Sequence, residues 1–260
     1  WLALLVALVL NFGVLSYIKY WNVLLDGLGM GESFLASSLL LPLGLSFYTF
    51  QSMGYLIDAY NGKVHPERNP LKYLLFVSWF PQLIQGPINR FDQLAEQLCA
   101  PRRFDAAGAK RALLLIGFGM LKKFVIADML VKTIAACLDQ VTPGTPGSII
   151  VFGILLYSAQ QYGDFSGGID MVRGVSQLFG VRMAENFRQP YFSVSLGDFW
   201  RRWHITLGAW MRDYVFYPFA LTDAMRRLGK WAGAHLGEHW GRTLPASVAN
   251  ILVFFLVGLW

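Results

Sequence analysis

Long apolar runs separated by short polar connections dominate the pattern of this chain. Residues 1–17 are almost uninterruptedly apolar. Five further runs cover residues 34–57, 73–88, 112–138, 148–162 and 246–260. A membrane-spanning helix needs roughly 17–25 such residues. Because three or four of the runs reach that length, the pattern predicts an all-α, polytopic membrane protein rather than a soluble protein with buried helices.

Two of these runs contain features that disturb a simple spanning helix. Pro81 and Pro87 interrupt the run 73–88, which predicts a re-entrant segment beside a central funnel, because proline breaks helices. Lys122 and Lys123 fall in the middle of the run 112–138. The pattern leaves two explanations open for the lysines: a bend between two short helices near Gly117, or an aqueous cavity.

The composition agrees with a membrane protein and sets its orientation. Only 15% of residues are charged and 55% are hydrophobic, whereas a soluble domain is about 25% charged. The chain has a net charge of +6, and its basic residues cluster in the connections 63–72, 90–111 and 173–242, of which the last holds ten arginines and lysines. The connections 19–33 and 139–147 are poor in basic residues. This distribution predicts a multi-pass membrane protein whose three basic connections lie on the cytoplasmic side, and no nucleic-acid partner.

Metal and disulfide chemistry find little support in the sequence. Cys99 and Cys137 offer neither a disulfide framework nor a metal-binding spacing. His235 and His239 are four residues apart, but Gly237 lies between them and a third ligand is missing. No metal site is expected.

The densest cluster of aromatic and charged residues lies between Asp198 and Asp213. Ser195 with Asp198 three residues later resembles a capping box, which predicts a helix from that point. On that helix one stripe would hold Trp200, Trp203, Leu207 and Trp210, with His204 beside it. The stretch has two explanations: an interfacial amphipathic helix, or a site in which His204 is a general base or orients one.

Three other polar clusters stand out, of which the one around Asp164 is a candidate for lining a substrate channel. Gln85 follows the proline-interrupted run, where amides need hydrogen-bond partners. Asp164 lies where the run 148–162 turns polar, and the alternative is a helix end with a turn at Gly167 and Gly168. Asn186 lies in a polar loop before the tryptophan-rich stretch.

Several motifs, in order along nearly the whole chain, carry a family resemblance. They are Gly44–Gln51 with Tyr55–Asp58, Phe80–Ile88, Leu121–Asp128, Asp164–Gly167, Glu185–Phe187 with Pro190-Tyr191, and Phe199–His204 with Arg212-Asp213. In these motifs the chain resembles the membrane-bound O-acyltransferase family, in the bacterial branch of the alginate O-acetylation membrane subunit. The teichoic acid D-alanyl transfer protein is a more distant relative.

The resemblance implies a function and a set of site residues. It implies acyl transfer, commonly of acetyl, from a cytoplasmic thioester such as acetyl-CoA or an acyl-carrier thioester to a surface polysaccharide, often through an extracytoplasmic acyltransferase partner. No bound cofactor is expected, and lipid surrounds the protein. His204 corresponds to one family histidine and is expected to support catalysis. Substrate- and donor-binding candidates are Gln85, Asp164, Asn186, Trp200, Arg201, Arg202, Trp203 and Arg212.

The resemblance also implies that residues 1–260 are one membrane domain truncated at both ends. The principal catalytic histidine of the family follows a Gly-Leu-Trp sequence, so it is expected just beyond Trp260, and the chain as given is expected to be inactive. Two other functions stay open, a transporter or flippase and a scaffold that docks an extracytoplasmic enzyme. D-alanyl transfer to teichoic acid is a further alternative.

Overall fold

The computed structural model describes residues 2–29, 44–139 and 141–259, and these form two compact units that meet in sequence at Asn186 and Phe187. The described residues fold into helices joined by turns, with an isolated β-bridge between Phe187 and Trp203. This confirms the all-α prediction. Residues 34–43 of the second apolar run lie outside the described residues.

The first unit contains eight α-helices among its described residues. They are α1 Leu2–Gly27, α2 Leu45–Tyr60, α3 Pro70–Val77, α4 Phe80–Gln85, α5 Phe91–Cys99, α6 Ala106–Met120, α7 Asp128–Leu138 and α8 Gly147–Leu178. A π-helical segment, Leu121–Ala127, joins α6 to α7 without a break. The second unit contains a short 3-10 helix, Pro190–Phe192, and a second π-helical segment, Arg212–Phe216. Its α-helices are α9 Leu196–Arg202, α10 Ile205–Met211, α11 Tyr217–Ala220, α12 Asp223–Leu236 and α13 Glu238–Leu259.

Two helices of the described residues are long and apolar enough to cross a membrane. They are Leu2–Trp21, within α1, and α13. The other described runs are shorter or bear more charge: run 112–138 carries Lys122, Lys123 and Asp128, and α3 and α4 divide run 73–88. The apolar pattern predicted three or four membrane spans, whereas two helices of the described residues have the length and low charge of a span.

The proline-interrupted run folds as two short helices that pack into a local core. Pro81 lies in the first turn of α4, where a backbone N–H would have no partner within the helix, so its absence removes no hydrogen bond. Helix α4 ends at Gln85, before Pro87. Phe76 of α3 is fully buried against Leu94 of α5. The interruption is confirmed, and a re-entrant path remains a prediction.

Buried amides around this run form hydrogen bonds with one another and with the backbone. The Gln82 amide nitrogen donates to the Gln51 side-chain oxygen at 3.0 Å and to the Phe76 carbonyl at 2.6 Å. The Asn89 amide nitrogen donates to the Gln82 side-chain oxygen at 3.1 Å, and the Ala184 N–H donates to Asn89. This network supports the expectation that amides at this depth find partners inside the protein.

Helix α8 is a single helix of 32 residues, so the turn considered at Gly167 and Gly168 is wrong. The glycines instead permit close approach of helices. A Cβ on Gly167 would lie 2.8 Å from the Gly119 carbonyl oxygen, and one on Gly119 would lie 2.6 Å from the Gly167 carbonyl oxygen. The tertiary contact keeps these residues helical despite the propensity of glycine to leave a helix.

Gly119→Ala and Gly117→Ala, on the same helix, are expected to change stability in opposite directions. Alanine at 119 would press on the α8 backbone and destabilise the protein by about 1–3 kcal/mol. Gly117 has no atom within 4 Å of an added Cβ, so alanine there gains helix propensity, up to about 1 kcal/mol. Thermal unfolding of the two variants in detergent measures the difference, and equal shifts would contradict the close packing at Gly119.

Lys122 and Lys123 are both paired with carboxylates of α8. The Lys122 Nζ lies 3.0 Å from the Ser166 Oγ and 2.5 Å from an Asp170 carboxylate oxygen, and its side chain is only 9% exposed. The Lys123 Nζ lies 2.5 Å from an Asp164 oxygen. The π-helical turn adds a residue to the helix and offsets the register there. The helix runs through this turn without a break, so two separate short helices are not formed. An aqueous cavity at Lys123, whose side chain is 33% exposed, stays a prediction.

Helices α12 and α13 form a hairpin closed by Gly237, whose φ of +95° favours glycine. The two helices approach closely at small residues, since a Cβ on Gly229 would lie 2.9 Å from the Gly241 carbonyl oxygen. This hairpin supplies α13, which forms one wall of the cavity described next.

Candidate active-site cavity

A cavity of about 620 Å³ in the second unit brings together most of the polar and aromatic residues singled out in the sequence. Five of the predicted residues line it: Trp200, Arg201, Trp203, His204 and Arg212. Residues of α9, of α10 and of α13 form its walls, so three helices converge on His204. A largely apolar cavity with few polar groups is typical of a small-ligand site.

His204 lies at a break between α9 and α10 rather than inside one helix. Its backbone has φ +44° and ψ +54°, a left-handed conformation that is uncommon outside glycine and costs about 1 kcal/mol or more. The predicted continuous helix with a stripe from Trp200 to Trp210 is therefore wrong. The break is stabilised from outside the helix, because the Arg188 N–H donates to the Arg202 carbonyl at 2.9 Å and Phe187 pairs with Trp203.

Aromatic contacts hold the two tryptophans of the cavity. The Trp203 ring stacks on Phe199 with ring centroids 5.6 Å apart and meets Phe187 edge-on at 5.0 Å. Trp200 meets Phe254 of α13 edge-on at 5.2 Å. Offset and edge-on ring pairs each add about 0.5–1.5 kcal/mol beyond area burial. The cavity is thus bounded by side chains of fixed orientation.

The start of α9 follows the capping prediction with one difference. The Ser195 Oγ accepts from the Asp198 N–H at 3.1 Å, but the Asp198 carboxylate accepts from the Val194 N–H rather than from Ser195. Asp198 also pairs with Arg202, four residues later on the same helix, whose Nε lies 3.0 Å away. Because Arg202 is held by this ion pair, it does not line the cavity, whereas Arg201 does.

Burial sets the charge state of His204. Desolvation lowers the pKa of His204 to about 4, and the residue lies outside the two candidate membrane spans. The imidazole is therefore neutral at physiological pH, with one ring nitrogen carrying a proton and the other able to accept one. A neutral ring suits hydrogen bonding to a substrate better than strong proton abstraction.

Three predicted site residues belong to the first unit. Gln85 packs against Gly168, where a Cβ would lie 1.9 Å from the Gln85 Oε1. Asp164 pairs with Lys123, and Asn186 is fully buried. Their contact with donor or acceptor stays a prediction.

One wall of the cavity could not be found from local patterns. It consists of Asn250, Val253, Phe254 and Val257 of α13. These residues share a helix face because they are spaced by three and four positions. An apolar helix near the end of the chain carries no signal that pairs it with His204, about fifty residues earlier. Only the packing of the unit reveals this wall.

Comparison with known proteins places the chain in a family. Residues 64–232 match the membrane-bound O-acyltransferase (MBOAT) family. The chain is 38% identical to the probable alginate O-acetylase of Azotobacter vinelandii, over all of the chain and 49% of that protein. It is 31% identical to the peptidoglycan O-acetyltransferase of Helicobacter pylori, over 99% of the chain and 51% of that protein.

A more distant relative is the teichoic acid D-alanyltransferase of Bacillus subtilis, 31% identical over 84% of the chain and 53% of that protein. The chain spans about half the length of the relatives that it matches. The family match covers the residues of α9 and α10 that line the cavity, including His204, and the match to the Azotobacter vinelandii protein extends over the whole chain and therefore over α13. This chain belongs to the membrane-bound O-acyltransferase family.

Proposed function

We propose that the natural protein is a multi-pass O-acyltransferase of the bacterial cytoplasmic membrane. It moves an acyl group, in the first place acetyl, from a cytoplasmic thioester toward hydroxyls of a cell-surface polysaccharide. The cavity that joins His204 to Arg201 and Arg212 carries the proposal, because it offers neutral and cationic hydrogen-bond donors beside apolar walls in a chain of this family. The names of two relatives, an alginate O-acetylase and a peptidoglycan O-acetyltransferase, support a polysaccharide acceptor.

The reaction needs a group that stabilises developing negative charge. The acceptor hydroxyl oxygen attacks the thioester carbonyl carbon, a C–O bond forms, the C–S bond breaks, and the hydroxyl proton ends on the departing thiol. Charge grows on the carbonyl oxygen in the transition state, where a fixed hydrogen-bond donor is most effective. The neutral imidazole of His204 supplies that donor or orients the acceptor hydroxyl, because a ring with a pKa of about 4 is a weak base.

The arginines of the cavity suit the donor's phosphates. Arginine binds phosphate through two parallel N–H groups. The Arg212 Nε lies 3.0 Å from an Asp213 carboxylate oxygen, which sets the direction of its guanidinium. Arg201 lies on the exposed side of α9, next to the ion-paired Arg202. In this proposal acetyl-CoA or an acyl-carrier thioester is bound by Arg201 and Arg212, and Trp200 and Trp203 shield the reacting carbonyl from water.

Gly208 offers a test of whether acyl transfer uses this cavity. An added Cβ there would meet its nearest atom, the Trp200 carbonyl oxygen, at 3.7 Å, so Gly208→Ala fits and serves as the matched control. Gly208→Leu fills part of the cavity and is expected to lower transfer at least about tenfold by displacing the substrate. The assay uses the full-length protein in proteoliposomes with radiolabelled acetyl-CoA inside and follows label reaching a polymer or partner protein outside.

The outcomes of that assay separate the alternatives. Transfer that survives Gly208→Leu would place the reaction elsewhere in the protein. Export of polymer without label would favour the transporter.

D-alanyl transfer is the second candidate function, since a D-alanyltransferase is 31% identical to the chain. It requires a D-alanyl thioester donor in place of acetyl-CoA, and label from that donor alone would select it. An extracytoplasmic acyltransferase as partner predicts that label accumulates on that enzyme when the polymer is left out.

A further inference from the structure

A second cavity, in the first unit, has an excess of positive charge that the proposed reaction does not use. Its volume is about 670 Å³, and residues of two segments, 97–109 and 177–182, line it. Three arginines line it, Arg102, Arg103 and Arg182, against one carboxylate, that of Asp105. The basic connection 90–111, predicted to be cytoplasmic, supplies two of the arginines.

Arg102 is held in the cavity by backbone carbonyls and keeps its charge uncompensated. Its guanidinium donates to the Gln97 carbonyl at 2.7 Å and to the Gly180 carbonyl. Gly180 has φ +74°, and a Cβ there would lie 2.8 Å from the Arg102 Cδ, so glycine permits this contact. Carbonyl oxygens fix the direction of a guanidinium without neutralising it.

Arg103 and Arg182 form no ion pair with a carboxylate of the described residues. Both side chains are exposed, and Arg182 is anchored through its backbone N–H, which donates to the Gln97 side chain at 3.0 Å. Asp105 is shared with Arg111, whose guanidinium nitrogen lies 3.6 Å from it. The cavity therefore contains three cationic side chains and one carboxylate, and that carboxylate is already paired with Arg111.

The arginines of the cavity lie next to exposed apolar side chains. Phe104 is 86% exposed, and Leu178 and Phe179 are about half exposed. Charged guanidinium groups beside exposed apolar side chains suit a ligand that has a phosphate at one end and an apolar part at the other. Basic pockets near the cytoplasmic face of membrane proteins bind phosphorylated headgroups in this way.

We propose that this cavity binds a phosphate group through Arg102, Arg103 and Arg182, with the apolar part of the same ligand on Phe104 and Phe179. Two sources share this chemistry: the phosphodiester headgroup of an anionic membrane lipid, and the phosphates of a soluble coenzyme A thioester. The site shares no lining residue with the His204 cavity. Binding of a lipid headgroup does not depend on the proposed function, whereas binding of a coenzyme A thioester rests on it.

Binding to the purified full-length protein in neutral detergent tests the proposal. The probes are dihexanoyl phosphatidylglycerol, dihexanoyl phosphatidylcholine and coenzyme A, each titrated by microscale thermophoresis. Each arginine removed is expected to weaken binding of the anionic probe about fivefold, so Arg103→Gln with Arg182→Gln weakens it about 25-fold. Asp105→Asn removes the competing carboxylate and is expected to tighten binding severalfold. Arg68→Gln, an exposed arginine outside the cavity, is the matched control and leaves affinity unchanged.

The opposite directions expected for the arginine and Asp105 variants separate charge recognition from damage to the fold. Phosphatidylglycerol binding that responds to both assigns the site to a lipid headgroup, and coenzyme A binding that responds to both assigns it to a soluble phosphate. The proposal is overturned if neither anionic probe loses affinity in the double variant or if Asp105→Asn weakens binding. It is also overturned if phosphatidylcholine binds as tightly as phosphatidylglycerol and coenzyme A binding does not respond to the variants.

Discussion

Replacing His204 by asparagine is expected to lower acyl transfer by the full-length protein about 100-fold or more while leaving membrane insertion and folding intact. Asparagine has an amide donor, but its shorter side chain does not reach the position of the outer imidazole nitrogen, so the transition state loses one fixed hydrogen bond, which costs about 10²–10³ in rate. Asparagine is the informative replacement because it tolerates the left-handed backbone that His204 adopts. The initial rate of label transfer in proteoliposomes and the midpoint of thermal unfolding are the two readouts.

His204→Ala serves as the second arm of this experiment. Alanine removes the imidazole and also makes the left-handed conformation less favourable, so it is expected to lose transfer and some stability together. A normal rate in both variants would remove His204 from the site. A normal rate in the asparagine variant with a low rate in the alanine variant would mean that the turn between α9 and α10, and not the imidazole, is what the reaction needs.

Replacing Asp170 by asparagine is expected to destabilise the protein by about 3 kcal/mol or more. Asp170 is the partner of the buried Lys122, and removing one member of a buried ion pair leaves the other charge without compensation. The effect of Lys122→Met is expected to be smaller, because Arg173, whose nitrogen lies 3.5 Å from Asp170, still compensates the carboxylate. Thermal and denaturant unfolding in detergent measure both.

Lys123→Met is the matched control for that pair. Lys123 is adjacent in sequence but its side chain is 33% exposed, and water screens its pairs with Asp164 and Asp128. Exposed ion pairs contribute about 0–1 kcal/mol, so this variant is expected to lose little stability. Equal losses at both lysines would contradict the distinction between a buried and a screened pair. Replacing Lys122 and Asp170 together by apolar residues is expected to recover part of the loss, since no uncompensated charge then remains.

Local signals in the sequence were sufficient for several features. The cap at Ser195, the ion pair between Asp198 and Arg202 and the interruption around Pro81 follow from residues within one or two helical turns, and all three are found. The same local logic failed at Gly167 and Gly168, where α8 continues. Neighbouring helices occupy the space of the missing side chains, because α6 lies against Gly167 and Gln85 of α4 lies against Gly168.

The sequence likewise predicted part of the candidate site, its residues, but not the backbone conformation at His204. Composition and motif order identified the family and directed attention to Trp200, Arg201, Trp203, His204 and Arg212, because aromatic and charged residues concentrated between apolar runs are costly unless they have a use. The helix that the spacing of the tryptophans predicts is broken at His204. The β-bridge between Phe187 and Trp203, and the hydrogen bond from the Arg188 N–H to the Arg202 carbonyl, hold the chain in another conformation.

The sequence by itself determined the helical class, the membrane character and the family, since these depend on apolar runs and on motifs read in order. Only the tertiary structure decided that Lys122 is paired with Asp170, that α13 faces His204, and that Arg182 shares a cavity with Arg103. The physical reason is the same for all three. Each contact joins residues about fifty or more positions apart, and the free energy that selects their partners comes from packing and desolvation in the folded chain, which no local pattern encodes.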